Sequence, residues 1–312
     1  MNKRSQCPYI FNSITELNKV LGLPKPTHPL ITIGNYNDVS VDNPDIPKGV
    51  LLNFYNISYK KYFSGAIRYG QNHYDFGEGG LSFTAPMQLM AAGDNNEDEC
   101  EGLTMLIHPD FLSGYPLAGS IKKYGFFSYF ANEALQLSEK EKDVILSIFN
   151  NIQDELEERI DNFSQDVIIS QLELLLSYSE RFYNRQFIIR KSVNDDMLTR
   201  MEILLNEYFN TNTGLEKGLP TVQYLADKLN ISSGYLSDML RNLTGLNAQQ
   251  HIHEKLIEKA KEYLTTGNLS VAEIAYQLGF EHPQSFSKVF KKKTNLSPSE
   301  YKQSLNSSFW LQ

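Results

Sequence analysis

Cysteine is almost missing from this sequence. The two present in 312 residues, Cys7 and Cys100, lie far apart and in no metal-ligand spacing, which excludes a disulfide framework and a cysteine-based zinc site. Long apolar runs are missing too: nothing approaches the roughly 20 consecutive residues of a membrane helix. The basic start, Lys3-Arg4, is followed by Ile10-Phe11-Asn12-Ser13-Ile14-Thr15-Glu16, too short and too polar for a signal-peptide core. These absences predict a cytoplasmic protein with no membrane partner. Clustered metal ligands are also lacking. His73 in Asn72-His73-Tyr74-Asp75 stands alone, His28 and His108 have no ligand-spaced partner, and His251 and His253 point in different directions from one helix. Gly77-Glu78-Gly79-Gly80 lacks dinucleotide-binding spacing and reads as a hairpin turn. No Ser/His/Asp or Cys/His arrangement is present. The expectation is no catalytic residue, no metal, no cofactor and no enzyme activity. Positive charge, finally, is in deficit: 29 Lys and Arg against 37 Asp and Glu give a net charge of −8, which taken over the whole chain argues against a polyanionic partner.

What is present divides by position. With 41% hydrophobic and 21% charged residues the chain is of globular composition, and at roughly 150 residues per domain its length suggests about two domains. Pro24, Pro26, Pro29, Pro44 and Pro47 punctuate an extended entry. From Val50 to about Ile107 short runs rich in β-branched and aromatic residues alternate with glycine-rich turns, the pattern of a small β-barrel or sandwich. Its aromatics are mostly packing residues by expectation. Tyr55, Tyr59, Tyr69 and Tyr74, with His73, are the candidates to line a pocket for a small-molecule effector, because such sites are apolar with a few placed polar groups. The acidic stretch Asp94-Asn95-Asn96-Glu97-Asp98-Glu99 reads as a solvated loop. The period then changes. Ser138 with Glu141 forms a capping box ahead of Val144, Ile145, Ile148, Phe149, Ile152 and Leu156, and a second helix spans about Gln165 to Phe187. Two such helices exceed what one small barrel can cover, so 138–187 is expected to pair two copies of the chain into a homodimer. A shorter amphipathic helix around Met197–Phe209 and polar stretches on both sides of it mark a domain boundary near 190–215.

The last third repeats itself. Thr221-Val222, Leu225-Ala226, Leu229 and Ile231 recur 49 residues on as Ser270-Val271, Ile274-Ala275, Leu278 and Phe280. Leu236, Leu240, Thr244 and Leu246 recur 50 on as Phe286, Phe290, Thr294 and Leu296. Each copy reads as helix, tight turn, helix. In the second, Ser270 and Glu273 make a capping box, Ala275 suits a helix crossing, Gly279 supplies positive φ, and Pro283 falls in the first turn of the next helix. This is helix-turn-helix grammar, in which the second helix lies in a DNA major groove. Between the copies Ile252, Leu256, Ala260 and Leu264 share one face of a helix from about Ala248 to Thr265. At 1.5 Å per residue it is roughly 27 Å long, suited to holding two reading helices about one DNA turn, ~34 Å, apart. The charge also redistributes: residues 217–303 hold 11 Lys and Arg against 8 Asp and Glu, net +3, leaving −11 for the rest. Lys288, Lys291, Lys292 and Lys293 concentrate it at the end of the second reading helix, where phosphates would be neutralised.

Ser270-Val271-Ala272-Glu273-Ile274-Ala275-Tyr276-Gln277-Leu278-Gly279-Phe280-Glu281, then Ser285-Phe286-Ser287-Lys288-Val289-Phe290-Lys291-Lys292, then Leu296-Ser297-Pro298-Ser299-Glu300-Tyr301, resembles the signature of the AraC/XylS family of bacterial transcription regulators. The resemblance covers roughly 218–303. It implies a seven-helix DNA-binding domain with two helix-turn-helix units, and often an N-terminal cupin-like barrel for a small effector with a helical dimerisation element. The expected fold is thus multidomain: a cupin-like β-barrel effector domain at 1–130, a helical dimerisation region at 131–190, and an all-α DNA-binding domain at 191–312 with units at about 221–243 and 270–292. The family's base-reading positions fall on Pro283, Gln284, Ser287 and Lys288 in the second unit. In the first they fall on Gly234, Ser237 and Asp238, with Tyr235 beside them, where family members often carry a bulky and a basic residue. Lys291, Lys292, Lys293 and Arg241 are the expected phosphate contacts. The partners implied are double-stranded DNA, a second copy of the chain, an unknown small-molecule effector and, for an activator, RNA polymerase. Two alternatives stand beside this reading: a cupin-type enzyme fused to a DNA-binding domain, and a constitutive DNA-binding protein with a structural barrel.

Overall fold

The structure, a computed structural model, describes residues 9–38, 49–61, 67–69, 72–74, 79–91, 101–130, 133–158, 161, 163–211, 213–266 and 269–308. The chain divides into two compact units, Met1–Gln186 and Phe187–Gln312. Among the described residues, no helix is long and apolar enough to cross a membrane.

Unit 1 begins with β1 (Tyr9–Phe11), α1 (Ile14–Val20), β2 (Ile31–Asn35), β3 (Gly49–Leu52) and β4 (Tyr55–Lys60). It continues through β5 (Ile67–Tyr69), β6 (Asn72–Tyr74), β7 (Gly80–Thr84), β8 (Leu89–Ala91), β9 (Gly102–Ile107), α2 (Leu117–Ser120) and β10 (Leu135–Gln136) to the long helices α3 (Glu139–Glu157) and α4 (Ser164–Ile189). Among the described residues the strands group into three sheets, ordered β1-β3-β8, β10-β7-β4-β9-β2 and β5-β6. The expected barrel is therefore seen only as a set of sheets, largely antiparallel, that do not close on one another. Continuous pairing runs only as far as the registers of β2, β4, β7 and β9 agree, and β3 turns instead to the parallel partner β1.

The five-stranded sheet has two unlike faces, as the period of two along a strand requires. Tyr55 and Ile57 look one way with Phe83, Met105 and Ile107, all buried. Tyr55 and Phe83 meet Phe127 edge-on at centroid distances of 5.1 and 5.3 Å, and Tyr183 of α4 stacks on Phe126 at 5.4 Å. Asn56, Ser58 and Thr104 occupy the other face. Both long helices are tied down at their polar ends as well as through apolar stripes. The Ser138–Glu141 capping box forms, and Arg185 of α4 donates to Glu141 at 2.7 Å and to the Gln136 carbonyl at 2.6 Å.

Unit 2 follows the end of α4 with α5 (Lys191–Asn210), α6 (Thr213–Lys217), α7 (Val222–Leu229), α8 (Ser233–Thr244), α9 (Ala248–Thr266), α10 (Val271–Gln277), α11 (Pro283–Thr294) and α12 (Pro298–Ser308). Among the described residues these are eight helices where the resemblance implies seven, the shortest being the 5-residue α6. The sequence repeat is a repeat of hydrogen bonds. Thr221 and Ser270 cap α7 and α10 by accepting from backbone N–H three residues on, at 3.1 and 3.2 Å. Thr244 and Thr294 close α8 and α11 by donating back to the Leu240 and Phe290 carbonyls, at 2.8 and 2.9 Å. Gly245 and Asn295 then take left-handed conformations, and Asn247 with Gln250 and Ser297 with Glu300 open the following helices as reciprocal caps. Ile252, Leu256, Ala260 and Leu264 of α9 are buried as their spacing predicts.

Candidate nucleic-acid interface

Helix α11 separates its residues by a 3.6 period into two faces. Phe286 and Phe290 are fully buried, packed on each other at 5.7 Å and on Phe280 and Tyr301. The opposite face carries Gln284, Ser285, Lys288, Lys291 and Lys292, all exposed, which at 100° per residue lie on one stripe. Pro283 and Ser287 sit half-buried at its flank, and the Ser287 hydroxyl donates to the Pro283 carbonyl at 3.1 Å. Lys293 is exposed beyond the stripe, at the helix end. Ser285 belongs to the stripe although sequence reasoning passed over it. Its one-residue offset from Gln284 and three-residue offset from Lys288 were the available signal.

Two features aim the stripe. Pro283 starts the helix where a missing N–H leaves nothing unpaired. The preceding turn is fixed by Gly279, whose φ is +96° and whose absent side chain makes room for the Gly218 backbone. A Cβ there would sit 2.5 Å from the Gly218 carbonyl carbon and 2.9 Å from the Leu219 nitrogen, so no other residue fits.

Helix α8 is the same device with different chemistry. Leu236, Met239 and Leu240 are buried, while Gly234, Ser237 and Asp238 are half-buried and Arg241 is exposed on the other side. Tyr235 corrects the sequence expectation. Its ring is 0% exposed and packs against Phe187 at 5.2 Å, so it is a core residue and reaches no base. Position 235 shares a face with 239, and that spacing carried the warning. Asp238 and Arg241, expected respectively at bases and phosphate, form an ion pair with each other at 2.6 Å. Such a surface pair is worth about 0–1 kcal/mol, little enough for a nucleic acid to break. In the repeat, acidic Asp238 stands where α11 has Lys288. The units thus differ most in charge at this position.

His251 of α9 shares a hydrogen bond of 2.8 Å with Thr244 at the end of α8. Burial lowers the pKa of His251 and of His253, and for His253 the charges of Lys292 and Lys293 lower it further.

In unit 1 the expected pocket residues divide. Tyr55 and Tyr59 are 6% and 5% exposed, and Tyr55 packs into the aromatic layer away from the polar face of the sheet. The side chains of Tyr69, His73 and Tyr74 lie outside the described residues, as does the stretch 94–99. The unit does contain a cavity of about 620 Å³. It lies on the polar face, lined there by Thr32, Gly34, Asn56 and Thr104. His28 and His108 do structural work, each accepting at 3.2 Å from a backbone N–H two residues on. The described residues hold no group of three or more His, Cys, Asp or Glu placed to hold a metal ion.

A family model described as "Helix-turn-helix domain" matches residues 225–304. The Msm operon regulatory protein of Streptococcus mutans is 32% identical over 87 residues, 28% of this chain and 31% of that protein. The HTH-type transcriptional activator RhaS of Escherichia coli is 33% identical over 79 residues, 25% of this chain and 28% of that protein. The chain therefore spans less than a third of the length of either relative. Among solved structures, the C-terminal domain of the two-component response regulator yesN from Fusobacterium nucleatum is 33% identical, covering 34% of this chain and 98% of that one, with a TM-score of 0.31. The repeated caps, the two helix-turn-helix units and the family match agree: residues 225–304 of this chain form an AraC-type helix-turn-helix domain.

Proposed function

We propose that this chain is a cytoplasmic, sequence-specific transcription regulator that reads successive major grooves with α8 and α11. The observation that carries the reading is the exposed stripe of α11, where Gln284 and Lys288 are followed by Lys291 and Lys292 opposite the buried Phe286 and Phe290. Gln suits adenine N6/N7 and Lys suits guanine O6/N7, whereas lysines along a backbone neutralise phosphates. Pro283 and Ser287 border that contact, and Lys293 adds phosphate affinity at the helix end. In the first unit, Gly234 and Ser237 leave close approach to the groove, and Asp238 accepts from cytosine N4 once Arg241 turns to phosphate.

Unit 1 is, in this reading, a cupin-like effector domain, and the cavity favours it over a purely structural one. A second copy pairs through the 138–187 helices: Phe163, Val167 and Leu174 expose an apolar line at helical spacing on and just before α4. As an activator the dimer would also meet RNA polymerase. Effector binding regulates only by favouring one arrangement of the DNA readers over another. Gel-shift titration on a selected site tests the groove assignment. Gln284→Ala or Lys288→Ala relaxes preference at one base pair by about 1–3 kcal/mol. Unchanged preference in both variants would remove α11 from the groove.

A further inference from the structure

The floor of the unit 1 cavity is chemically specific. Asn56, 6% exposed, lines it, and its Oδ1 accepts from Thr104 Oγ1 at 2.8 Å and from Ser58 Oγ at 2.9 Å. The Tyr36 hydroxyl donates in turn to Ser58 Oγ at 2.8 Å. With the carbonyl oxygen so occupied, the Asn56 Nδ2 amide is left with two N–H donors at the cavity and no acceptor among the described residues. That donor is open to the cavity, where water or a ligand oxygen can accept from it.

The surroundings restrict what that something is. Much of the wall is aliphatic, from Leu17, Leu21, Val50, Leu52, Leu106 and Leu156, with Asn18 and Gln153 among the polar residues that also line it. The charged lining residues, Lys25, Asp38 and Glu157, are all exposed and so belong to the mouth. An ionised head group carried down to Asn56 would lose its water, and no charged lining residue among the described ones lies there to compensate; Lys60, over the Tyr36 ring at 5.4 Å, does not line the cavity. Gly34, directly opposite Thr104 in the sheet register, adds a second sign of a built site. Its φ is not positive, so its conformation does not demand glycine, and an added Cβ would come no closer to the rest of the chain than 3.9 Å, at Thr104 Cγ2. What glycine contributes there is open space over the polar floor.

We propose that this cavity binds an uncharged, mainly aliphatic molecule whose carbonyl or hydroxyl oxygen accepts a hydrogen bond from Asn56 Nδ2. The inference rests on the reading of unit 1 as an effector domain and adds the ligand class.

The test uses the full chain and two probes of equal length, decan-2-one and decanoate, added at submillimolar concentration, with thermal melting followed by circular dichroism. The ketone raises the melting temperature by mass action and the carboxylate does not. Gly34→Leu, which fills the space, abolishes the ketone's shift. Asn56→Leu, which keeps volume and removes the donors, weakens ketone binding about tenfold. Because Asn56 also anchors two hydroxyls, Gly34→Leu is the decisive variant, and a ligand-free far-ultraviolet spectrum and melt matching those of the unsubstituted chain confirm that it folds. A decanoate shift as large as the ketone's, a ketone shift that survives Gly34→Leu, or no ketone shift at all overturns the proposal. The two layers fail separately. Ketone binding that leaves DNA affinity unchanged keeps the ligand class and removes the effector role. Decanoate binding that changes DNA affinity does the reverse.

Discussion

Replacing Gly279 by alanine should damage unit 2 more than any other single methyl group placed at a helix end. Two separate terms add. Holding a non-glycine residue at φ +96° costs roughly 1–2 kcal/mol in left-handed strain. The new Cβ would also meet the Gly218 carbonyl, 2.5 Å from its carbon, with the Leu219 nitrogen at 2.9 Å. Both are backbone atoms that cannot rotate away, so the loop between α6 and α7 must shift, at about 1–3 kcal/mol for a forced repacking. Gly245 isolates the first term, because its φ is +79° and nothing lies within 4 Å of its Cβ position. Gly245→Ala should thus destabilise by about 1–2 kcal/mol and Gly279→Ala by about 2–5 kcal/mol. For a unit of this size each kcal/mol lowers the melting temperature by roughly 3–6 °C, so the two variants separate clearly in far-ultraviolet circular dichroism melts. Equal melting temperatures would refute the close approach of Gly218, and with it the account of how the second turn is fixed.

Other outcomes follow from the same structure. Lys292→Ala lowers affinity for all DNA sequences alike and reduces the slope of log affinity against log salt by about 0.9; an unchanged slope would take Lys292 off the phosphates. Asp238→Ala releases Arg241 and raises affinity on non-selected DNA in a low-salt gel shift while lowering it on selected DNA; unchanged affinity on selected DNA would take Asp238 off the cytosine. Val167→Glu combined with Leu174→Glu yields a monomer in sedimentation at micromolar concentration; a surviving dimer would move the pairing surface elsewhere. Because His251 and His253 have pKa values lowered from 6.5, the unfolded chain binds more protons at mildly acidic pH. Their stabilisation is complete above about pH 7 and is lost as pH falls through 6.5 toward the folded values. Melts at pH values on either side of 6.5 should show the loss, and His251→Gln with His253→Gln should flatten it.

How much of this was legible in the sequence depended on whether the signal was local. Capping boxes are local, and Ser138 with Glu141 and Ser270 with Glu273 form as written. The repeat was legible because each copy keeps its own caps and core spacing. Helix α1 escaped notice although Ser13 accepts from the Glu16 N–H three residues on, because seven residues are too few for a periodic stripe. The polar run Asn194-Asp195-Asp196, one of the stretches read as marking a domain boundary, lies within α5, where Asn194 is fully buried and donates to the Phe187 carbonyl at 2.8 Å. Only a tertiary partner makes that residue helical. The cavity shows the same limit. Aromatic side chains on β4 drew attention to Tyr55 and Tyr59, but which face of a strand meets a core and which a cavity is decided by β7, β9 and the helices packed on them. The parallel pairing of β1 with β3 joins segments about forty residues apart and left no trace in either.

The central claim is that two unlike helix-turn-helix units read one duplex, the second more strongly than the first. Selection of bound duplexes from a random pool by the full chain, followed by sequencing, tests it directly. Expected for each copy of the chain are two blocks of preferred base pairs about one helical turn, ~10 bp, apart, with the sharper block lost in the double variant Gln284→Ala, Lys288→Ala. Enrichment of a single block, or two blocks indifferent to that double change, would contradict it.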